Sequence, residues 1–399
     1  MKSLLFLISS MGGGGAQRIA SLLSQVLGRD YRIFWVLKSP EVVYPMAGEV
    51  VTDCCFGLPV QRHFVGSLWK LARLVERVRR LKRRLGVKAT ISFMEDSNLL
   101  NVLSGGKSLV NIQSSWAKST PSCLAERWMH LSCPWFYRRA DRVICISEGV
   151  AELLRRKGVP PQKIEVIYNG LDLRDIGEKM GQAIPSSHQE LFKKPTILHC
   201  GRFTFAKGQW QLVRVLRIVK EKVPEVQLVF IGGKSQAKDL YDYIRRLAES
   251  SPYRRDIHFL GFQENPFKYF VRGSVFAFPS IYEGLGMALV EAMACGLPVV
   301  AADCLTGPRE VLSPGSGVGG IAEGLEYGPY GVLVPAGDGV LPADIHQPLT
   351  RPERCLAEAL VRFLTDEELR QDYGRRARER AREFDMEEIG RRWREVIEG

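Results

Sequence analysis

The chain has 399 residues, 45% of them hydrophobic and 25% charged, which excludes disordered, collagen-like and coiled-coil classes and favours two domains. Its net charge of +12 is unevenly placed: residues 1–180 hold 27 Lys and Arg against 15 Asp and Glu, whereas residues 181–399 hold 29 of each. Such asymmetry sets a bland reading, solubility, against a first half that meets something anionic: nucleic acid, a membrane surface or a phosphorylated substrate.

The N-terminal MKSLLFLISS has a short apolar core, Leu4 to Ile8, and a poor cleavage pattern, so it reads as a buried first strand rather than a signal peptide. The cluster Gly12–Gly15 follows. Ile19, Leu22, Leu23, Val26 and Leu27 then share one face of a helix. Strands are expected at 33–37, 89–93, 108–112 and 142–146, and helices at 68–86 and 148–157. Residues 174–194 carry linker chemistry (Gly177, Gly181, Pro185, Ser186, Ser187). The alternation then restarts, with strands at 196–200, 226–231, 257–260, 275–278 and 298–302. Helices are expected at 209–222, 236–249, 286–295 and 353–364. Residues 312–331 read as a Gly-rich surface loop, and 375–394 as an Arg/Glu-rich helix ending in an amphipathic segment. This is α/β architecture, two βαβ-rich halves with mostly parallel sheets. No apolar run approaches the ~20 residues that span a bilayer. Nine cysteines without a C-x-x-C indicate neither a disulfide framework nor a zinc site.

Three segments carry chemistry. Gly12–Gly15, between a strand and a helix, lets backbone amides approach an anion. A dinucleotide site is disfavoured, because Arg18 replaces the third glycine and no acid follows the next strand. Arg202 and Lys207 share one loop after a strand, a pair suited to a diphosphate, although cations on such loops are common. Glu283 and Glu291 lie eight positions apart around a glycine turn. Glu291 falls in an otherwise small, apolar helix, where a carboxylate needs a partner: ligand hydroxyls or a core arginine.

Taken together, G-G-x-x-R (14–18), S-E-G-V (147–150), I-Y-N-G-L-D (167–172), G-R-F-x-x-x-K-G (201–208) and the E-x7-E segment at 283–299 resemble the retaining glycosyltransferases of family 4, of GT-B fold. The order matches across nearly the whole chain, and E-x7-E is the specific element. T-G-P-R-E-V-L (306–312) and Y-G-V-L-V-P (330–335) resemble the bacterial branch that builds cell-surface polysaccharides and lipid-linked oligosaccharides. The resemblance implies two Rossmann-like domains with a cleft between them. Residues 1–175 would bind the acceptor, 190–384 the nucleotide-sugar donor, and a C-terminal helix, 385–399, would cross back to the first domain. Arg202 and Lys207 would hold the donor diphosphate, Glu283 would face the transferred sugar and Glu291 would bind the ribose. Amides of Gly284, Leu285, Gly286, Met287 and Leu289 would grip phosphate and sugar. Gly14 and Gly15 would approach from the other domain, and Phe262 would lie beside the base. With a cationic pair on the phosphates and no D-x-D, no metal and no other cofactor is expected. The resemblance also implies a histidine near the donor sugar, but the loop Asn111–Trp116 has none.

Residues 68–86 hold eight basic residues and one acid. Leu71, Leu74, Val75, Val78, Leu81 and Leu85 share one helical face, and Lys70, Arg73, Arg77, Arg80 and Arg84 an adjoining one. This basic stripe reads either as a solvated face or as contact with anionic lipid or a polyprenyl-diphosphate-linked glycan acceptor. The second reading puts the protein at the inner face of the cytoplasmic membrane. Trp116, Trp128, Trp135, Phe136 and Tyr137 are interfacial anchors or core. Two other classes compete with this reading. A non-transferring GT-B enzyme such as a nucleotide-sugar epimerase would lean on histidines, which the motifs lack. A nucleic-acid-binding protein would interleave stacking aromatics with its cations, which this chain does not.

Overall fold

A computed structural model describes residues 1–12, 14–37, 39, 41–51, 64–113, 132–234, 238–319 and 321–399, with the backbone alone at 64–68 and 238–239. It divides into two compact units, Met1–Leu171 with Asp385–Gly399, and Asp172–Phe384.

The first unit is built on a seven-stranded sheet: β1 (Lys2–Ile8), β2 (Tyr31–Leu37), β3 (Glu49–Val50), β4 (Val87–Phe93), β5 (Ser108–Ile112), β6 (Arg142–Cys145) and β7 (Ile164–Val166). Its order is β3-β2-β1-β4-β5-β6-β7, parallel throughout. Strands buried on both faces need apolar side chains at successive positions, and Leu4 to Ile8 are all buried. Leu4, Phe6 and Ile8 meet Ala20, Leu23 and Leu27 of the Gly15–Leu27 helix together with Met386, Ile389, Trp393 and Ile397 of the Met386–Glu398 helix. On the other face, Leu5 and Leu7 pack with Val78 and Leu81 of the Phe64–Arg84 helix. The C-terminal helix is also pinned polarly: Glu398 takes bonds from Lys2, Tyr31 and Lys88, which hold its carboxyl at about 2.

In the second unit the strands are β8 (Thr196–Cys200), β9 (Gln227–Ile231), β10 (Ile257–Phe259), β11 (Val275–Phe278), β12 (Val299–Asp303), β13 (Glu326–Tyr327) and β14 (Val332–Pro335), in the order β10-β9-β8-β11-β12-β14-β13. Only the β13–β14 pair is antiparallel. A buried Arg214–Glu353 pair at 2.6 Å closes one side, with Glu353 also completing the capping box on Thr350.

Two expectations are corrected. Residues 174–194 are mostly helical (Leu173–Met180, Ser186–Gln189, Glu190–Lys193), because Asp172 caps the first of these through Asp175 N–H and Ile176 finds a buried site. The Gly-rich 312–331 segment is largely the surface loop expected, exposed at 314–319, and it is also tied to the fold. Buried Asp303 accepts from Ala322 N–H and pairs with Arg309, which also holds Glu326. Four strands, β3, β7, β13 and β14, went unread. Among the five aromatics, Trp135 is exposed, Phe136 half-buried and Tyr137 fully buried, while Trp116 and Trp128 lie outside the described residues. No helix among the described residues is long and apolar enough to cross a membrane.

Candidate active site

The loops after β8 and β11 bring two of the sequence-predicted donor residues, Lys207 and Glu283, together. After β8, the chain turns through Gly201 and Arg202 into a short 3-10 turn, Phe205–Lys207, closed by Gly208 at φ +62°. A Cβ at Gly208 would lie 2.2 Å from Pro279 O, so only glycine lets this loop press against the end of β11. Ile281 N–H then donates to Ala206 O at 2.8 Å. The result is that Lys207 Nζ donates to Glu283 Oε1 at 2.6 Å, across 76 positions of sequence. Ser280 Oγ donates to the same oxygen at 2.8 Å, and Thr306 Oγ1 donates to Glu283 O. Lys207 and Glu283 are both mostly buried, so the pair is only weakly screened. Arg202 is exposed, and its guanidinium has no carboxylate partner among the described residues.

The Met287–Ala294 helix starts after Gly286 with no side-chain cap. Among the described residues, no backbone carbonyl accepts from the amides of Gly284, Leu285, Gly286 and Met287. Those of Gly286 and Met287 belong to the orphan donors that a helix N-terminus offers to an anion, while Gly284 and Leu285 lie in the loop before it. Leu289 is a correction: its N–H donates to Gly286 O at 2.9 Å, and its side chain is fully buried, so it has no group to offer a ligand. Glu291 is buried in the second turn, 7% exposed. Phe262 stands 78% exposed beside Gly233, three residues beyond the end of β10.

A buried histidine that the sequence reading did not single out adjoins this loop. His199 on β8 is fully buried, and its Nδ1 lies 3.0 Å from Ala277 O. Its Nε2 has no hydrogen-bond partner. That nitrogen faces the Gly201 loop: a Cβ placed on Gly201 would lie 3.5 Å from both His199 Nε2 and Lys207 Cε. Burial pushes its pKa down to about 4, so the ring is neutral. The available signal was a histidine two positions before the G-R pair on an otherwise apolar strand.

In the first unit, Gly14 caps and Gly15 opens the Gly15–Leu27 helix at the carboxyl end of β1. Ser147 of the S-E-G-V motif caps its helix by accepting from Val150 N–H. At the end of β5, Gln113 bonds Asn111 and Asn169, with the rest of that loop outside the described residues. Met94, beyond β4, is the sole non-glycine residue with positive φ among those described, at +71°. In I-Y-N-G-L-D, a Cβ on Gly170 would lie 2.5 Å from Met386 Sδ, so glycine admits the returning C-terminal segment. Lys70, Arg73, Arg77, Arg80 and Arg84 are all exposed along the Phe64–Arg84 helix. Arg73 lies over the Trp69 ring at 3.3 Å, and Arg80 pairs with Glu76. Lys82, one of the eight basic residues counted there, turns inward instead, bonding Asn101 O, Asn101 Oδ1 and Gly105 O.

Comparison with known proteins matches this architecture half by half. The glycosyltransferase family 4 model matches residues 12–175, and the glycosyl transferases group 1 model matches residues 182–324. An uncharacterised glycosyltransferase of Methanocaldococcus jannaschii is 28% identical over 83% of this chain and 85% of its own length. The N-acetylgalactosamine-N,N'-diacetylbacillosaminyl-diphospho-undecaprenol 4-alpha-N-acetylgalactosaminyltransferase of Campylobacter jejuni is 25% identical over 98% of each chain. Among solved structures, Anabaena HepE in complex with UDP and glucose superposes over the whole of both chains with a TM-score of 0.76 at 19% identity. Two Rossmann-like units of GT-B type, each matched by its own glycosyltransferase model, place this chain in the family 4 and group 1 glycosyltransferases.

Proposed function

We propose that this glycosyltransferase moves a hexose or N-acetylhexosamine, with retention, from a UDP-linked donor to a polyprenyl-diphosphate-linked glycan at the inner face of the cytoplasmic membrane. The observation that carries the reading is the Lys207–Glu283 pair, with exposed Arg202 on the same loop as Lys207 and an uncapped helix starting at Met287. Cleaving the anomeric carbon–oxygen bond puts negative charge on the departing diphosphate and positive charge on the sugar ring. Arg202, Lys207 and the amides of Gly284–Met287 supply the cations and donors that stabilise the first charge in this reading, and the Glu283 carboxylate suits the second. Glu291 accepts the two ribose hydroxyls. The acceptor hydroxyl forms the new bond on the face the diphosphate leaves, and its proton passes to the departing phosphate oxygen. Fixed cations do the work of a bridging metal in this scheme.

Two likenesses support the substrates: the Campylobacter relative is named for an undecaprenyl-diphosphate-linked acceptor, and HepE was crystallised with UDP. The exposed stripe from Lys70 to Arg84 suits the diphosphate of such an acceptor or an anionic bilayer. Each cation near that surface contributes about 1 kcal/mol. A melting-temperature panel with UDP, GDP and their sugars, followed by transfer assays on an undecaprenyl-diphosphate glycan with and without EDTA, tests the reading. UDP-sugars should raise the melting temperature by mass action, and EDTA should leave transfer intact. A rise with GDP alone would correct the donor; restoration of EDTA-lost activity by magnesium would overturn the metal-free scheme.

A further inference from the structure

We propose that His199 becomes a positioning residue for Lys207 when the donor binds: its Nε2, unpaired in this structure, then accepts one N–H of a reoriented Lys207 ammonium and aims the remaining one at the donor diphosphate. The inference rests on the donor-site reading above. Ala277 O lies 3.0 Å from Nδ1, and a carbonyl can only accept, so the ring carries its proton on Nδ1. Nε2 is then a lone pair, and it is buried with nothing to accept from. An unmet acceptor in the interior is costly and calls for an explanation. The incoming diphosphate cannot supply one. A diphosphate at neutral pH has no proton to give, and a lone pair facing it would repel it.

Lys207 can supply it. A Cβ on Gly201 would lie 3.5 Å from both His199 Nε2 and Lys207 Cε, so the two side chains border one small space. An ammonium has three N–H groups and no lone pair. One goes to Glu283 at 2.6 Å. A second on His199 leaves the third for phosphate, a tripod that fixes the direction of the charge rather than merely its presence. Gln209 supports the same loop. Its side-chain amide donates to Arg202 O at 2.9 Å, which holds the backbone of the second cation.

Substitutions at this position separate the acceptor from the structural bond. His199→Phe fills the ring space and removes both nitrogens. His199→Asn keeps a donor for Ala277 O but has no atom at Nε2. His199→Gln reaches the Nε2 position with an acceptor. The probes are inorganic pyrophosphate and UDP-sugar binding, read by melting-temperature shift, together with kcat and donor KM for the full chain. His199→Phe and His199→Asn should lose about tenfold in kcat/KM, a loss of one 1.4 kcal/mol interaction, mostly in kcat, and should weaken pyrophosphate binding. His199→Gln should stay within about threefold of the original by the same scale. Asparagine matching the original, or phenylalanine leaving both readouts unchanged, overturns the inference while the donor site stands. If phenylalanine prevents folding, the asparagine–glutamine comparison decides alone. Failure of the unaltered protein to bind pyrophosphate or any nucleotide sugar overturns both readings.

Discussion

In the proposed reaction the Lys207–Glu283 pair joins opposite charges with opposite tasks, one for the leaving group and one for the sugar. Lys207→Ala should cut kcat by about 10²–10³, the cost of losing one preorganised electrostatic contact, with the melting temperature little changed. Glu291→Ala should instead raise donor KM about tenfold or more, since it removes a charged acceptor of ligand hydroxyls. Steady-state kinetics on both variants, with circular dichroism to confirm folding, checks the division of labour; full activity in both would remove the assigned site. Lys82 makes a separate case. Burial brings its pKa down from 10.5 to about 7, despite three accepting oxygens. Between those values the unfolded chain binds a proton that the native state does not, so stability rises with pH across that window. Denaturant titrations at pH 7 and pH 9.5 should show this rise in the unaltered protein and a smaller one in Lys82→Met.

Secondary elements explain which parts of the chain announced themselves. The Phe64–Arg84 helix was legible because its apolar and basic faces recur at helical spacing. Reversing Lys70, Arg73, Arg77 and Arg80 together should abolish sedimentation with anionic vesicles and weaken transfer to a lipid-diphosphate acceptor, leaving the melting temperature nearly unchanged because all four are exposed. Retention of full binding and activity would make the stripe a solvated face. The strands β3 and β13, two residues each, carry no periodicity to read. The Leu173–Met180 helix was hidden behind Gly177 and Gly181, whose breaker character is outweighed by the Asp172 cap and the burial of Ile176.

At the scale of the molecule, the C-terminal segment alters the charge arithmetic. The unit formed by 1–171 with 385–399 holds 28 Lys and Arg against 17 Asp and Glu, a net of +11, and leaves the other unit with +1. The returning helix is core as well as tether. Trp393, 3% exposed, packs with the face of the first sheet formed by Leu4, Phe6 and Ile8. Trp393→Ala should therefore destabilise the first unit by about 3–5 kcal/mol in denaturant unfolding, a cavity cost. A shift under 1 kcal/mol would show that the helix is only loosely held.

Motif order, strand alternation and the E-x7-E spacing, all local patterns, were sufficient to identify two Rossmann-like halves and the glycosyltransferase family. They also named Arg202, Lys207, Glu283 and Glu291, because charged residues in glycine-rich turns after apolar strands are conspicuous in one dimension. What needed three dimensions was pairing. Lys207 meets Glu283 only because Gly208 lets two loops close on each other. Leu289 drops out because its amide is already bonded within the helix turn. His199 enters because burial leaves one nitrogen without a partner, and whether a polar atom is satisfied depends on neighbours far away in sequence.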